Sequence, residues 1–515
     1  MQLKYLYNNP YKCIILFILI FFSFLTFQGM YFAFWGDAEV YLNISQVLFN
    51  NNTLYKDAVD TKHIGFLLFY YFLYFPYALF FDTVQYFPIW HGFSLSVLYF
   101  GIGVLSYNIT NSLYDKKLSL LTSISILCVI FGNQHSLFIN QPQVAIFFVF
   151  IFLLYLHKTF IKQSYFNYFV YGVLLALAFT ISHILIPLVL IIPFLVFQKD
   201  ILIDKNIFTA FYKCTIAALG FLCIISIFVI YLYSENSLND WIYWNTIYPL
   251  TAYTKITQFI MLNGLISFDS SNIFLKIILI FLSFFGIGNN FRFPLNYSIV
   301  THYFFIISFV VSFIIFIYRK YIIKQNFNLS SIEYALIFFG FLSIISRFLI
   351  SRVSGSDSYN IYLLPFIICY FPLFYRFFPL FKKVMNYGIV LVLFINLTYI
   401  PFRYFLYPSK IPIPHYMKQL TILNPNKKPT VINYAWHTNL YSTQWKPLFY
   451  AHVVVDNYDF HEKVINLQPE IFFYTATQKI INPDNFLSFI EEHYQQVLEN
   501  TYIRKDMVSS WKIPQ

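Results

Sequence analysis

The sequence predicts an all-α polytopic membrane protein of about 11 to 13 transmembrane helices, with a small C-terminal extracytoplasmic α/β domain. The first observation behind this class is composition. Of the 515 residues, 59% are hydrophobic and 23% aromatic, whereas 11% are charged, against about 25% in soluble domains. One globular core cannot bury that much apolar surface, so most of it is expected to face lipid. The second observation is a change in the pattern of apolar and polar residues near residue 403.

The charge and the cysteines exclude other classes. The net charge is +11, and in a membrane protein such an excess of Lys and Arg marks cytoplasmic loops rather than nucleic-acid binding. The chain has five cysteines, all in apolar stretches and without paired spacing. Neither a disulfide framework nor a zinc site is therefore predicted.

The apolar segments give the spans. The first follows Lys12, and we expect it to be retained, because it is too long for a signal peptide and no small-residue cleavage site follows. Further spans are predicted near residues 64–81, 88–107, 118–133, 142–157, 166–182, 183–198, 207–233, 272–290, 299–318, 331–349, 359–377 and 384–402. Several are shorter than the ~20 residues that cross a bilayer, which leaves the count as a range.

Positive residues orient the spans. Lysines near the N-terminus and in alternate loops predict a cytoplasmic N-terminus in a multi-pass cell-membrane protein. The first external loop is then 34–63. Two apolar segments separate this loop from the cytoplasmic Lys116, where an odd number of crossings is needed, so one of them is expected to be re-entrant or interfacial.

The chain is predicted to have two domains. Residues 1–402 form the transmembrane domain. From about Arg403 several prolines precede extended runs that alternate with an amphipathic helix in 486–498, a pattern typical of a small α/β domain. Residues 403–515 are therefore predicted to fold outside the membrane.

Two carboxylates stand where the first span emerges. Asp37 and Glu39 lie in the segment Trp35-Gly-Asp-Ala-Glu-Val-Tyr41, and charges next to lipid are costly. In an extended or turn segment they would lie near one face, where one could accept a proton while the other holds a cation or a hydroxyl. An ordinary exposed loop with two acids is the alternative.

A basic pair follows in the same loop. The apolar spacing in 41–49 predicts an amphipathic helix lying in the membrane interface. Lys62 and His63 then stand at the mouth of the second span, on the same side as Asp37. Such a site suits an anionic phosphate next to a hydroxyl that must lose its proton. The alternative is that Lys62 only extends its charged end toward water from its helix.

The order of these features resembles a known superfamily. The order is similar to the opening of the GT-C-type glycosyltransferases that use polyprenyl-phosphate sugars. It consists of a first span, Gly-Asp37-Ala-Glu39-x-Tyr41, a short helix, Leu54-Tyr55-x-Asp57, Asp60-x-Lys62-x-x-Gly65 and a second span. That superfamily includes aminoarabinose transferases acting on lipid A and protein O-mannosyltransferases. The external segment Ser354 to Pro365, which contains Tyr359, looks like the Tyr-and-Pro segment before a late span in the family.

The resemblance implies roles for these residues. Asp37 would be the base that deprotonates or polarises the acceptor hydroxyl, assisted by Glu39. Lys62 would hold the donor phosphate. His63 is not part of the resemblance, but it could donate a hydrogen bond to the phosphate or shuttle a proton. The reaction would be transfer of a single sugar from a polyprenyl-phosphate donor to a lipid, polysaccharide or protein on the extracytoplasmic side. Arg347 and Arg352, which flank the external end of a late span, are further candidate phosphate ligands. The alternative is that they only extend their charged ends toward water. The candidate acceptor or sugar contacts are Tyr55, Asn140, Gln141, Gln143 and Tyr359.

The sequence departs from the family pattern twice. His63 stands where members commonly have Pro. The loop 133–143, where members usually carry a second acid, has no carboxylate, so no metal is predicted as required. A divalent cation, Mg²⁺ or Mn²⁺, would have Asp37 and Glu39 as its ligands. Two other functions stay open: a transporter or non-catalytic relative that binds lipid-linked sugar, and a polymerase or ligase of another membrane fold.

Overall fold

The structure is a computed structural model of the chain. It describes residues 9–12, 14–15, 18–19, 37–60, 62–81, 86–131, 139–162, 164–247, 308, 311–312, 314–324, 329–351, 361–388, 421–422, 430–434, 446–451, 460–474, 483–498 and 501–512. Contacts divide the chain into two compact units. The first comprises Met1–Phe24, Leu95–Phe228 and Thr254–Leu406, and the second comprises Leu25–Ser94, Val229–Tyr253 and Tyr407–Gln515.

Helices dominate the described residues. In chain order the α-helices are α1 (Asp37–Phe49), α2 (Ile64–Phe80), α3 (Phe87–Asn111), α4 (Lys116–Phe131), α5 (Gln141–Thr159), α6 (Tyr165–Ile181), α7 (Ile191–Val196), α8 (Ile207–Ser234), α9 (Leu238–Ile242), α10 (Ser331–Ser351), α11 (Leu364–Phe377), α12 (Phe460–Leu467) and α13 (Pro483–His493). A 3₁₀ helix (His183–Leu190) precedes α7, and short π-helices follow α7 (Phe197–Ile201) and α9 (Tyr243–Ile247). A third π-helix is Tyr318–Ile322, and a second 3₁₀ helix is Lys505–Ser510.

Four helical stretches in the described residues are long and apolar enough to cross a membrane. They are Phe87–Asn111, Gln141–Thr159, His183–Ile201 and Ile207–Ser234. A fifth is counted if Ile361–Phe377 and Pro379–Gly388, which bend by 120°, form one span. The helical, membrane-like class is thus confirmed. The predicted span near 272–290 and most of 299–318 lie outside the described residues.

Close helix packing shapes the first unit. A methyl group on Gly172 of α6 would overlap the backbone oxygen of Ala217 in α8, and one on Gly220 would overlap that of Phe169. The two backbones are therefore in direct contact, which only glycine permits at these positions. Small residues at such crossings are typical of membrane helices.

We expect Gly172→Ala to destabilise the protein by about 1–3 kcal/mol, because the added methyl group forces α6 and α8 apart. The measurement is thermal unfolding in detergent. Gly103→Ala is the matched control, because a methyl group there would meet only side-chain atoms, at 3.1 Å from Ile14. Equal melting temperatures for the two variants would contradict the packing explanation.

The second unit is built around a sheet. The strands are β1 (Ala58–Val59), β2 (Thr421–Ile422), β3 (Thr430–Tyr434), β4 (Lys446–Ala451), β5 (Ile471–Tyr474), β6 (Tyr494–Leu498), β7 (Thr501–Arg504) and β8 (Trp511–Lys512). Six of them form one sheet in the order β1-β4-β3-β5-β7-β6, and β2 pairs with β8. Neighbours from β1 to β5 are parallel, whereas β7 is antiparallel to both β5 and β6. The predicted small C-terminal sheet is therefore confirmed.

The first strand comes from a distant part of the chain. Ala58 and Val59, in the predicted first external loop, pair with Tyr450 and Ala451 of β4. Helix α1 contacts α2, β1 and β4, and every residue from Val40 to Leu48 is buried. The predicted helix in 41–49 is thus confirmed, but Val40 to Leu48 have no exposed face, because α2 and the sheet pack on them. The placement of this helix in the membrane interface stays a prediction.

Candidate functional site

The two predicted acids lie at the start of α1. The helix already begins at Asp37, so the predicted extended or turn backbone is wrong. The side chains of Asp37 and Glu39 lie outside the described part of the structure.

The first turn of α1 packs against the start of α2. The Tyr70 hydroxyl donates to the Ala38 backbone oxygen at 3.3 Å. The Tyr41 and Phe66 rings meet edge to face, with centroids 4.7 Å apart. Ala38 stands between the two predicted acids, and Phe66 follows the predicted basic pair by three residues. The backbones that carry the two pairs are thus neighbours in the second unit.

Lys62 and His63 lie at the N-terminus of α2. Both are half-buried. His63 occupies the N-cap position with an extended backbone, and its ring does not cap the helix. Instead its Nδ1 lies 3.0 Å from Oδ1 of Asn245. The tautomer of His63 that is protonated at Nδ1 would donate to this amide oxygen. A helix N-terminus beside a lysine favours an anion such as phosphate.

Two buried side chains bind the backbone of Lys62. The Lys62 N–H donates to Oδ1 of Asp60 at 2.9 Å. The Tyr55 hydroxyl donates to the Lys62 carbonyl oxygen at 2.7 Å. Asp60 is 1% and Tyr55 0% exposed. The peptide groups on both sides of the Lys62 Cα are therefore fixed.

Tyr55 is constrained as well as buried. Its φ of 68° lies in the left-handed region, where an aromatic residue is strained. Burial raises the pKa of Tyr55 well above its usual value, so the hydroxyl stays protonated and donates. These contacts describe a structural role in the loop. The predicted sugar contact by Tyr55 stays a prediction.

The predicted amide contacts lie at the start of α5 in the first unit. Asn140 is the N-cap: its Oδ1 accepts from the Gln141 N–H at 2.7 Å, while Oε1 of Gln143 accepts from the Asn140 N–H at 3.2 Å. Nε2 of Gln141 donates to the Ile181 carbonyl oxygen at 2.6 Å. All three amides are buried. They organise the helix start and its link to α6, and their contact with sugar stays a prediction.

The remaining predictions concern the arginines of the late span, Tyr359 and a divalent cation. Arg352 and Tyr359 lie outside the described residues. Arg347, in α10, is fully buried. No group of three or more His, Cys, Asp or Glu side chains that could hold a metal occurs in the part of the chain that the structure describes. The carboxylates of Asp37 and Glu39 are not in that part, so the divalent cation stays a prediction.

Sequence reasoning missed Asn245. It lies 182 residues from His63 along the chain, and no motif connects the two. A comparison of the chain with protein-family models finds no match, and no curated protein matches it. The functional assignment therefore rests on the residues of the chain and on their geometry.

Proposed function

We propose that the protein is an integral-membrane glycosyltransferase that moves one sugar from a polyprenyl-phosphate donor to an acceptor on the extracytoplasmic side. The observation that carries this proposal is the packing of the start of α1, with Asp37 and Glu39, against the start of α2, with Lys62 and His63. A base for the acceptor and a cation for the donor phosphate are the two groups that such a transfer needs.

The reaction divides between these groups. The acceptor oxygen forms a bond to the anomeric carbon of the sugar, and the bond from that carbon to the phosphate oxygen breaks. The electron pair of the broken bond stays on the carrier phosphate, where the Lys62 ammonium stabilises the added charge. Asp37 accepts the acceptor proton. The products are the glycosylated acceptor and the free carrier phosphate, and no nucleotide is required.

The substrates follow from this chemistry. The donor is a lipid, so the carrier approaches within the membrane and the sidedness of the first loop sets the leaflet. The acceptor is a hydroxyl or amine group on a lipid, a polysaccharide or a protein. Where a divalent cation takes part, Asp37 and Glu39 would hold it, and chelation would then abolish transfer.

The test is lipid mass spectrometry on protein purified in detergent. Lys62→Ala removes the proposed phosphate ligand, so we expect polyprenyl phosphate or its sugar adduct to co-purify with the parent and to be lost from the variant. Lys56→Ala is the matched control, because Lys56 is an exposed lysine of the same loop. Equal carrier in Lys62→Ala and the parent would overturn the donor site.

A carrier-binding transporter or non-catalytic relative is the alternative. The observation that favours it is the loop 133–143, which lacks the second acid of the family that the chain resembles. Such a protein would bind the carrier through Lys62 but form no glycosidic product. Purified protein that binds the donor and releases no carrier phosphate with any acceptor would support it.

A further inference from the structure

We infer that Asp60 and Tyr55 are positioning residues that hold Lys62 in place for a phosphate group. This inference rests on the proposed function, because it takes Lys62 as the phosphate ligand. Asp60 and Tyr55 are both buried, at 1% and 0% exposure. Both act through the Lys62 backbone, one on its N–H and the other on its carbonyl oxygen.

The two residues are themselves anchored. The Tyr55 N–H donates to the Ala58 carbonyl oxygen at 2.9 Å. Asp60 directly follows β1, whose two residues pair with Tyr450 and Ala451. Lys62 is therefore linked to β4 in three steps: its hydrogen bond with Tyr55, the hydrogen bond of Tyr55 with Ala58, and the pairing of Ala58 with Tyr450. The sheet would support the donor site without touching the donor.

The arrangement is energetically demanding. A buried carboxylate is unfavourable unless hydrogen bonds compensate its lost hydration. Oδ1 of Asp60 accepts from Lys62, whereas Oδ2 is buried and makes no hydrogen bond to the described residues. Tyr55 adds a strained backbone. Strain and buried charge of this kind are concentrated at functional sites, where they fix a geometry.

Fixing Lys62 has a direct use. A lysine is a flexible point charge that loses conformational freedom when it binds an anion. A backbone that is already held reduces this loss, and misplacement of a binding group by about 1 Å can lower rates about 100-fold. The Lys62 side chain starts from a fixed Cα at the N-terminus of α2.

The experiment compares three variants by their affinity for a short-chain polyprenyl phosphate in detergent micelles. Asp60→Ala removes the acceptor for the Lys62 N–H, and we expect it to weaken binding about 10- to 100-fold. Asp60→Asn keeps an acceptor oxygen, so it should stay within about threefold of the parent. Tyr55→Phe removes the hydroxyl and should weaken binding in the same direction as Asp60→Ala.

The control is Asp57→Ala. Oδ2 of Asp57 accepts from the Thr53 N–H at 2.9 Å, which is the same kind of bond in the same loop but not at Lys62. We expect this variant to bind like the parent. A second measurement, amide hydrogen exchange of the peptide that contains Lys62, should accelerate in Asp60→Ala and not in Asp57→Ala.

These outcomes separate the inference from the proposed function. Parental affinity in Asp60→Ala or in Tyr55→Phe, or an equal loss in Asp57→Ala, would overturn the positioning role. Parental affinity in Lys62→Ala would instead overturn the donor site itself, and the positioning role with it. If Asp60→Ala does not fold, Tyr55→Phe provides the same test, because its ring can stay packed.

Discussion

Replacement of Asp37 with Asn is expected to lower the rate of sugar transfer by about 10²- to 10⁴-fold, because a general base contributes this much to proton removal. The amide is of nearly equal size but cannot accept the proton. Binding of the donor should persist, because Lys62 is unchanged. The measurement is release of carrier phosphate in single-turnover experiments, together with the donor affinity.

The control for this variant is Asp57→Asn, a second acid in the same loop with a backbone hydrogen bond of its own. It should transfer sugar at the parental rate. Transfer by Asp37→Asn at the parental rate would remove Asp37 as the base. If the parent protein binds the carrier but transfers no sugar, the transporter or carrier-binding alternative becomes the better explanation.

Local sequence patterns predicted the helices more accurately than they predicted the tertiary contacts of those helices. The apolar runs predicted the bounds of α2, α5 and α8 closely. A long run that is apolar on all sides indicates a helix without any knowledge of its tertiary contacts. The helix predicted in 486–498 ends earlier. Its last residues form β6, which pairs with β7. That pairing depends on β7, which begins at Thr501, and helical spacing alone does not reveal it.

The same limit applies to the site. The sequence singled out Lys62 and His63 because a basic pair before a span is a local feature. It predicted an amphipathic helix in 41–49 because nothing local shows that β4, some 400 residues later, packs on that helix. The parallel pairing of Ala58 with Tyr450 and the contact of His63 with Asn245 are likewise set by tertiary structure.

A buried ion pair in the first unit was also invisible from sequence. Lys213 of α8 lies 2.6 Å from Oδ1 of Asp200, in the π-helix that follows α7. The side chains are 8% and 2% exposed. The Lys213 ammonium also lies 5.3 Å from the centre of the Tyr168 ring in α6. Three helical segments of this unit therefore meet at one desolvated pair of charges.

Lys213→Ala is expected to lower the free energy of unfolding by about 3–5 kcal/mol, because it leaves the Asp200 carboxylate buried without its counter-ion. The double variant Asp200→Asn with Lys213→Met removes both charges and keeps most of the volume, so it should recover most of this loss. Asp204→Asn, at an exposed neighbouring acid, is the control and should stay within about 0.5 kcal/mol of the parent. The measurement is unfolding in mixed detergent micelles. If Lys213→Ala is as stable as the double variant, the ion pair contributes nothing specific to stability. A buried carboxylate without its counter-ion should destabilise the protein more than two neutral side chains do.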